Sequence, residues 1–435
     1  MRRVIGLDYL AFGLALGLAL VALLAAAPAS HAQAPKEIVI GVIYPMTGNL
    51  AQLGIDSVTA IRMAADQYNA KSELNLPSMK KSTDGLPGLG GAKIRLVVAD
   101  HQGKPDVGQA EAERMITQEK VTAIIGAVFS SVTATASQVA ERYGVPFMNG
   151  ESSSPTLTER GFKWFFRTSP HDGHFSLAMF EFIKEFEKKK SLKFKTVGLM
   201  HEDTLFGVDS AKTQDELARK YGYEVLLNMA YRAKTTSLDA EVGKLKSANP
   251  DVFLPTSYTS DAVLYVKTAK TLDYVPKMLI AQNAGWVDPA FVQEMKGEIE
   301  GHITRSPFAL DLQAKKPLIR QVNELFKKQK DNPGGRDISE APARALTAFT
   351  VLIDAINRAK STNPEDIRKA LVATSIPADQ LVMPWTGVRF DEKGQNTGIR
   401  AILQQIQKGA YATIWPFDLA AAEVMYPLPG YKEKK

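Results

Sequence analysis

The sequence predicts an α/β protein built as two lobes, each with a parallel sheet flanked by helices. Short apolar strands alternate with helical segments, once from about residue 38 to 148 and again from about 164 onward. Helices of this length between strands are the crossovers that a parallel sheet requires. Length agrees, because about 400 residues remain after an N-terminal leader, enough for two lobes.

In the first series residues 38–43 form a short apolar strand. Residues 54–70 follow as a helix with Ile55, Val58, Ile61, Ala65 and Tyr68 on one face. Residues 94–99 are the next strand, and Pro105 and Asp106 open a helix through Gln118. A strand at 121–125, a helix at 131–143 and a strand at 145–148 complete the series. In the second, 164–167 leads through 168–172 into a helix. Strands at 196–200, 223–229, 251–255 and 277–281 are separated by helices at 206–221, 237–247 and from about 260. Pro250 stops the middle helix. A later helix, 341–360, carries Leu346, Phe349, Leu352, Ile353 and Ile356 on one face, and 364–373 is shorter. Residues 388–390 and 399–416 read as strands joined by Gly/Asn turns, and 85–91 as a glycine-rich surface loop.

The leader has Arg2 and Arg3, an apolar run over 10–27, and small residues ending at Ala34. That is the pattern of a signal peptide, spanning 1–32 if cleavage follows Ala32, with Ala34 as the alternative. It predicts export to the periplasm. The chain has no cysteine, which excludes disulfides, a lipid on an N-terminal cysteine, a thiol nucleophile and cysteine-held metal. Its net charge of +6 comes from 53 basic and 47 acidic residues, dispersed rather than striped. The runs at 188–190 and 432–435 are a solvated helix end and tail, so no nucleic-acid partner is expected.

Enzyme signatures fail on placement. The 85–91 glycines precede a strand, whereas a dinucleotide loop follows one and opens a helix. No Gly-x-Ser-x-Gly elbow occurs. His171 and His174 could pair on a metal but lack a nearby Glu-rich set, so a polar helix start is the reading. Asp100 and His101 read as a turn ending a strand. No cofactor and no catalytic residue is expected.

Serines at strand ends remain. Ser130 and Ser131 follow the 121–125 strand where ligands bind in open α/β sheets, and the start of a helix suits an anion-like group. Glu151, Ser152 and Ser153 follow the next strand. Plain helix capping by the serines is an equal alternative.

The segments Ile40-Gly-Val-Ile-Tyr-Pro-Met-Thr-Gly48, Ile125-Gly-Ala-Val-Phe-Ser-Ser-Val-Thr133, His201-Glu-Asp-Thr-Leu-Phe-Gly207 and Trp385-Thr-Gly-Val-Arg-Phe-Asp391 resemble the leucine/isoleucine/valine-binding family of type I periplasmic solute-binding proteins. So does Ser154-Pro-Thr-Leu-Thr-Glu-Arg-Gly161, and the likeness spans the mature chain in order. It implies two Rossmann-like lobes joined by three crossovers, 36–167 plus 308–383 and 168–305 plus 384–430. It also implies a monomeric binder of a small polar solute that closes on its ligand and delivers it to ABC permease subunits. On this resemblance Ser130, Ser131, Ser152 and Ser153 hold the ligand head, while Phe206 and Tyr258 cover it. Two positions depart from the amino-acid-binding pattern. Asn283 stands where a carboxylate would hold the ligand ammonium, and Glu151 replaces a small residue. Leu53 stands at a first-lobe aromatic position. An amino-acid ligand would need Glu151 or Asp203 for its ammonium, whereas an amide or an organic or aromatic carboxylate would suit Asn283.

Overall fold

The computed structural model describes residues 35–431 apart from 49, 82 and 83, so the expected leader lies outside the described residues. Two sheet layers organise the chain, the second made of a three-stranded and a four-stranded sheet. In the first, strands β1 (Glu37–Tyr44), β2 (Lys93–Asp100), β3 (Ala123–Gly126), β4 (Phe147–Asn149) and β5 (Phe165–Arg167) lie in the order β2-β1-β3-β4-β5, all parallel. Alternate residues of β1 serve opposite faces, as the strand period demands. Ile38, Ile40 and Val42 pack toward helix α1 (Ala51–Asn69) and a long late helix, while Ile43 packs with Met115, Ile124 and Val139. That second face is covered by α2 (Pro105–Thr117) and α3 (Ser130–Tyr143), which also pack on each other.

The chain then runs through α4 (Asp172–Lys190), β6 (Thr196–Glu202), α5 (Leu205–Lys220), β7 (Glu224–Tyr231), α6 (Asp239–Ala248), β8 (Val252–Thr256) and α7 (Thr259–Thr271). Strands β7-β6-β8 are parallel. Bridges from Phe253 to Leu279 and from Ser257 to Ala284 carry the layer on to β9 (Ile280–Ala281). Helix α8 (Pro289–Met295) precedes β10 (Ile303–Ser306), which runs parallel to β9. Two later strands, Ile402–Gln407 and Ala410–Trp415, complete this layer in antiparallel fashion. The second layer is therefore mixed, whereas the strand–helix rhythm predicted only parallel strands.

After β10 come α9 (Pro317–Lys327), α10 (Glu340–Ala359), α11 (Pro364–Val372), β11 (Ile376–Pro377) and β12 (Gly387–Val388). The closing hairpin is β13 (Ile402–Gln407) and β14 (Ala410–Trp415). Helix α10 is buried from Glu340 to Asn357 and packs along α1. Sequence reading missed α8, α9, β10 and β11. The 85–91 segment is not merely a surface loop: Leu86 and Leu89 are buried, and Gly88 sits so close to α10 that a Cβ would meet the Asn357 carbonyl at 2.0 Å.

Two contacts position the site. Gly54 opens α1 against the end of β1, where a Cβ would lie 1.8 Å from the Pro45 carbonyl oxygen. Gly126 ends β3 at φ 149°, and its Cβ would meet the Ile43 carbonyl at 2.3 Å. Gly54→Ala should destabilise the protein by about 1–3 kcal/mol through overpacking. Phe349→Ala on the buried face of α10 should cost about 3–5 kcal/mol. Urea denaturation midpoints of the two variants check both values.

Candidate functional site

Strand ends from both sheets converge on one small cavity. Its walls include Ser130 at the start of α3, Glu151 and Ser153 after β4, and Leu50 and Leu53 beside α1. The second layer supplies Phe206 after β6, Tyr258 after β8, Asn283 and Val287 after β9, and Arg305 on β10. Glu340 and Arg344 on α10 close it. Six of the eight residues singled out in the sequence thus line it, together with Leu53. Ser131 instead borders a neighbouring cavity that also touches Leu50, Phe129 and Tyr258. The Ser152 hydroxyl points into the protein, donating to the Ala127 carbonyl at 2.8 Å and sharing a 2.6 Å bond with Thr133. Asp203 lies away from the cavity, exposed, with its carboxylate accepting from the Ala233 amide at 2.9 Å.

The charged groups of the cavity are almost wholly buried, and each has a partner. Arg344 Nη1 donates to Glu340 at 2.8 Å, while Arg344 Nε donates to the Gly150 carbonyl at 2.9 Å and Ser169 Oγ at 3.1 Å. The Asn283 amide donates to both Glu340 oxygens at 2.7 Å. Asn283 therefore brings a carboxylate into the site rather than replacing one. Asn283 and Ala284 both hold positive φ, 86° and 52°, a strained conformation of the kind that collects at binding sites. Arg305 stacks over Phe175 at 3.5 Å and bonds Asp172 at 3.2 Å and Ser153 Oγ at 3.3 Å. Its Nε and Nη1 have no partner.

Glu151 accepts from the Tyr44 hydroxyl at 2.8 Å, and its second oxygen is buried without a partner. Burial pushes its carboxyl up to about 7, against the pull of Arg344 and the Tyr44 bond. Burial likewise lowers Arg305 to about 9, against Asp172 and Glu340. An apolar plug lies beside these charges: Leu50 packs with Phe206 and Tyr258, and Phe129 approaches Tyr258 with ring centroids 4.6 Å apart.

Sequence reasoning missed Arg305, Glu340 and Arg344. The available signal was a pair of ionisable residues four apart at the start of a long apolar helical stretch, which marks a buried pair or a site. His171 and His174 cap α4: His171 Nδ1 accepts from the Gly173 amide at 3.0 Å, and the His171 amide donates to His174 Nδ1 at 3.3 Å. Among the described residues no group of three or more His, Cys, Asp or Glu side chains is placed to hold a metal ion. Nor does any described helix have the length and apolarity to cross a membrane.

This arrangement, two α/β layers meeting over a small charged cavity, is that of a solute-binding protein. Residues 37–410 match the periplasmic binding protein family. A Leu/Ile/Val-binding protein homolog 7 from Brucella suis is 30% identical over 424 residues, covering 95% of this chain and 98% of the relative. A homolog 8 from the same organism is 27% identical, covering 97% and 99%. The fold is shared with a leucine-binding protein LivK from Thermotoga maritima (TM-score 0.73, 23% identity, 88% of this chain and 99% of that one). It is shared equally with LivJ from Streptococcus pneumoniae in complex with isoleucine (TM-score 0.72, 19% identity, 90% and 100%). The chain belongs to the Leu/Ile/Val-binding family of periplasmic binding proteins.

The raised Glu151 carboxyl has a consequence for pH. The folded state keeps a proton that the unfolded chain has already released, so this group's contribution to stability falls as pH climbs from about 4.5 to about 7. Glu202, also pushed up to about 7 by burial, acts the same way. Glu151→Gln should therefore gain on the wild type in melting temperature between pH 5 and pH 7.5, as thermal denaturation at the two pH values would register.

Proposed function

We propose that this protein is the periplasmic substrate-binding component of an ABC importer, exported by its leader and working as a monomer. It captures a small α-amino-acid-like solute by closing lobe 36–167 plus 308–383 on lobe 168–305 plus 384–430. The observation that carries this reading is the pairing of opposite unsatisfied groups in one cavity. Arg305 has Nε and Nη1 free for a carboxylate, and Glu151 has one oxygen free for an ammonium. Burying an ammonium without such a partner costs several kcal/mol. Glu340 adds a second carboxylate facing the same space. Ser130 and Ser153 flank the head, and Leu50, Phe206 and Tyr258 supply the apolar cover.

The names of the relatives support a branched-chain amino acid as the kind of solute. A neutral amide head is less well served, because the Asn283 amide hydrogens already go to Glu340. We read the protein as a binder and not an enzyme. The closed form would dock on permease subunits through faces of both lobes near the cleft mouth.

A thermal-shift screen over amino acids, amides and aromatic or aliphatic carboxylates tests the ligand class. A bound amino acid at a hundredfold excess over its Kd should stabilise the protein by about 2.7 kcal/mol. Glu151→Gln should remove most of that response while leaving the fold intact. A shift produced by neutral carboxylates or amides and by no amino acid would overturn the ammonium reading, and conversion of a bound solute to product would overturn the binder reading.

A further inference from the structure

The capture cavity has only about 40 Å³ of open space, room for a few water molecules. A second chamber of about 410 Å³, the size of a small-molecule site, lies against it. Val287 and Glu340 line both. Val287 comes from the turn after β9 and Glu340 from the start of α10, so each layer contributes one residue that borders both spaces.

The chemistry of the second chamber differs from that of the first. Pro289 and Val292 of α8, Phe308 and Leu310 after β10, and Tyr411 of β14 supply apolar wall, while Asp56, Asp337 and Glu340 bring carboxylates to the lining. Arg336 lies at its edge, bonding Asp56 at 2.7 Å and the Pro333 carbonyl at 3.1 Å, with Nε buried and unpartnered. Such a space takes an uncharged, largely apolar chain, and its three carboxylates disfavour a second anionic head.

We propose that the second chamber is a tail subsite, and that the solute is an α-amino acid whose apolar side chain is longer than that of leucine. This rests on the capture reading above, with the head held by Glu151 and Arg305. Affinity should then rise with tail length, by about fourfold in Kd per buried methylene.

Calorimetric titration with valine, 2-aminooctanoic acid and 2-aminodecanoic acid tests it. The wild type should bind the long acids far more tightly than valine. Val292→Trp fills the second chamber without touching the first, so it should keep wild-type affinity for valine and lose the gain with length. Ala410→Trp, elsewhere in the lining, serves if the first variant does not fold. A Kd that does not tighten with length, or a gain that survives the tryptophan, overturns the tail subsite while valine binding still upholds capture. Failure of valine and the long acids alike contradicts the capture reading itself, and the subsite with it.

Discussion

The ion pair between Glu340 and Arg344 is the contact on which the site depends. It occupies the first turns of α10, the helix that also fills the first core. Arg344 holds the Gly150 and Glu151 carbonyls and Ser169, fixing the loop after β4 and the connection out of the first sheet. Glu340 receives Asn283 from the other layer. One pair thus joins a strand end, a connection and the facing wall of the cavity. Deleting either partner would strand a buried charge, typically at a cost of about 3–5 kcal/mol. Burial of such groups is tolerable only because their hydrogen bonds are nearly complete. The exceptions, on Glu151 and Arg305, are where the proposed capture reading puts a ligand's own charges.

Apart from the buried bonds of Asn283 to Glu340 and of Arg305 to Ser153, the contacts across the cavity are of a kind that can break. Asp209 on α5 accepts from the Ser154 and Thr156 hydroxyls, the latter at 2.7 Å and exposed. Leu50 and Phe129 meet Phe206 and Tyr258 through apolar surface alone. Opening the cleft costs these bonds little, because water replaces the exposed ones. By contrast Arg167, Gln395, Asn396 and Thr168 form a fully buried network where the chain passes between layers. A firm pivot beside a loosely held mouth is the arrangement that hinge closure requires.

Much of the architecture was legible because hydrophobic period survives in a single sequence. Strands β1 to β4 and their helices stand within a few residues of expectation. Strand β10 was not legible, since Ile-Thr-Arg-Ser lacks an apolar run and only pairing with β9 and β13 makes it a strand. The serine-bearing strand ends and the covering aromatics could be read because each follows its own strand directly. Glu340 and Arg344 could not, because Arg344 reaches Gly150 and Glu151 across nearly two hundred residues and Glu340 reaches Asn283 in the other layer. Asn283 read as a lost carboxylate, since no local pattern reveals that its amide would fetch Glu340.

The central claim is that two lobes close on a solute, and a distance across the mouth tests it most directly. The chain has no native cysteine, so Lys104→Cys and Arg232→Cys, exposed residues flanking the two sides of the mouth, can carry a pair of spin labels. The account predicts a broad, long distance distribution without solute and a narrow, shorter one once an amino acid is bound. A single distribution, unchanged by any solute that raises the melting temperature, would contradict it.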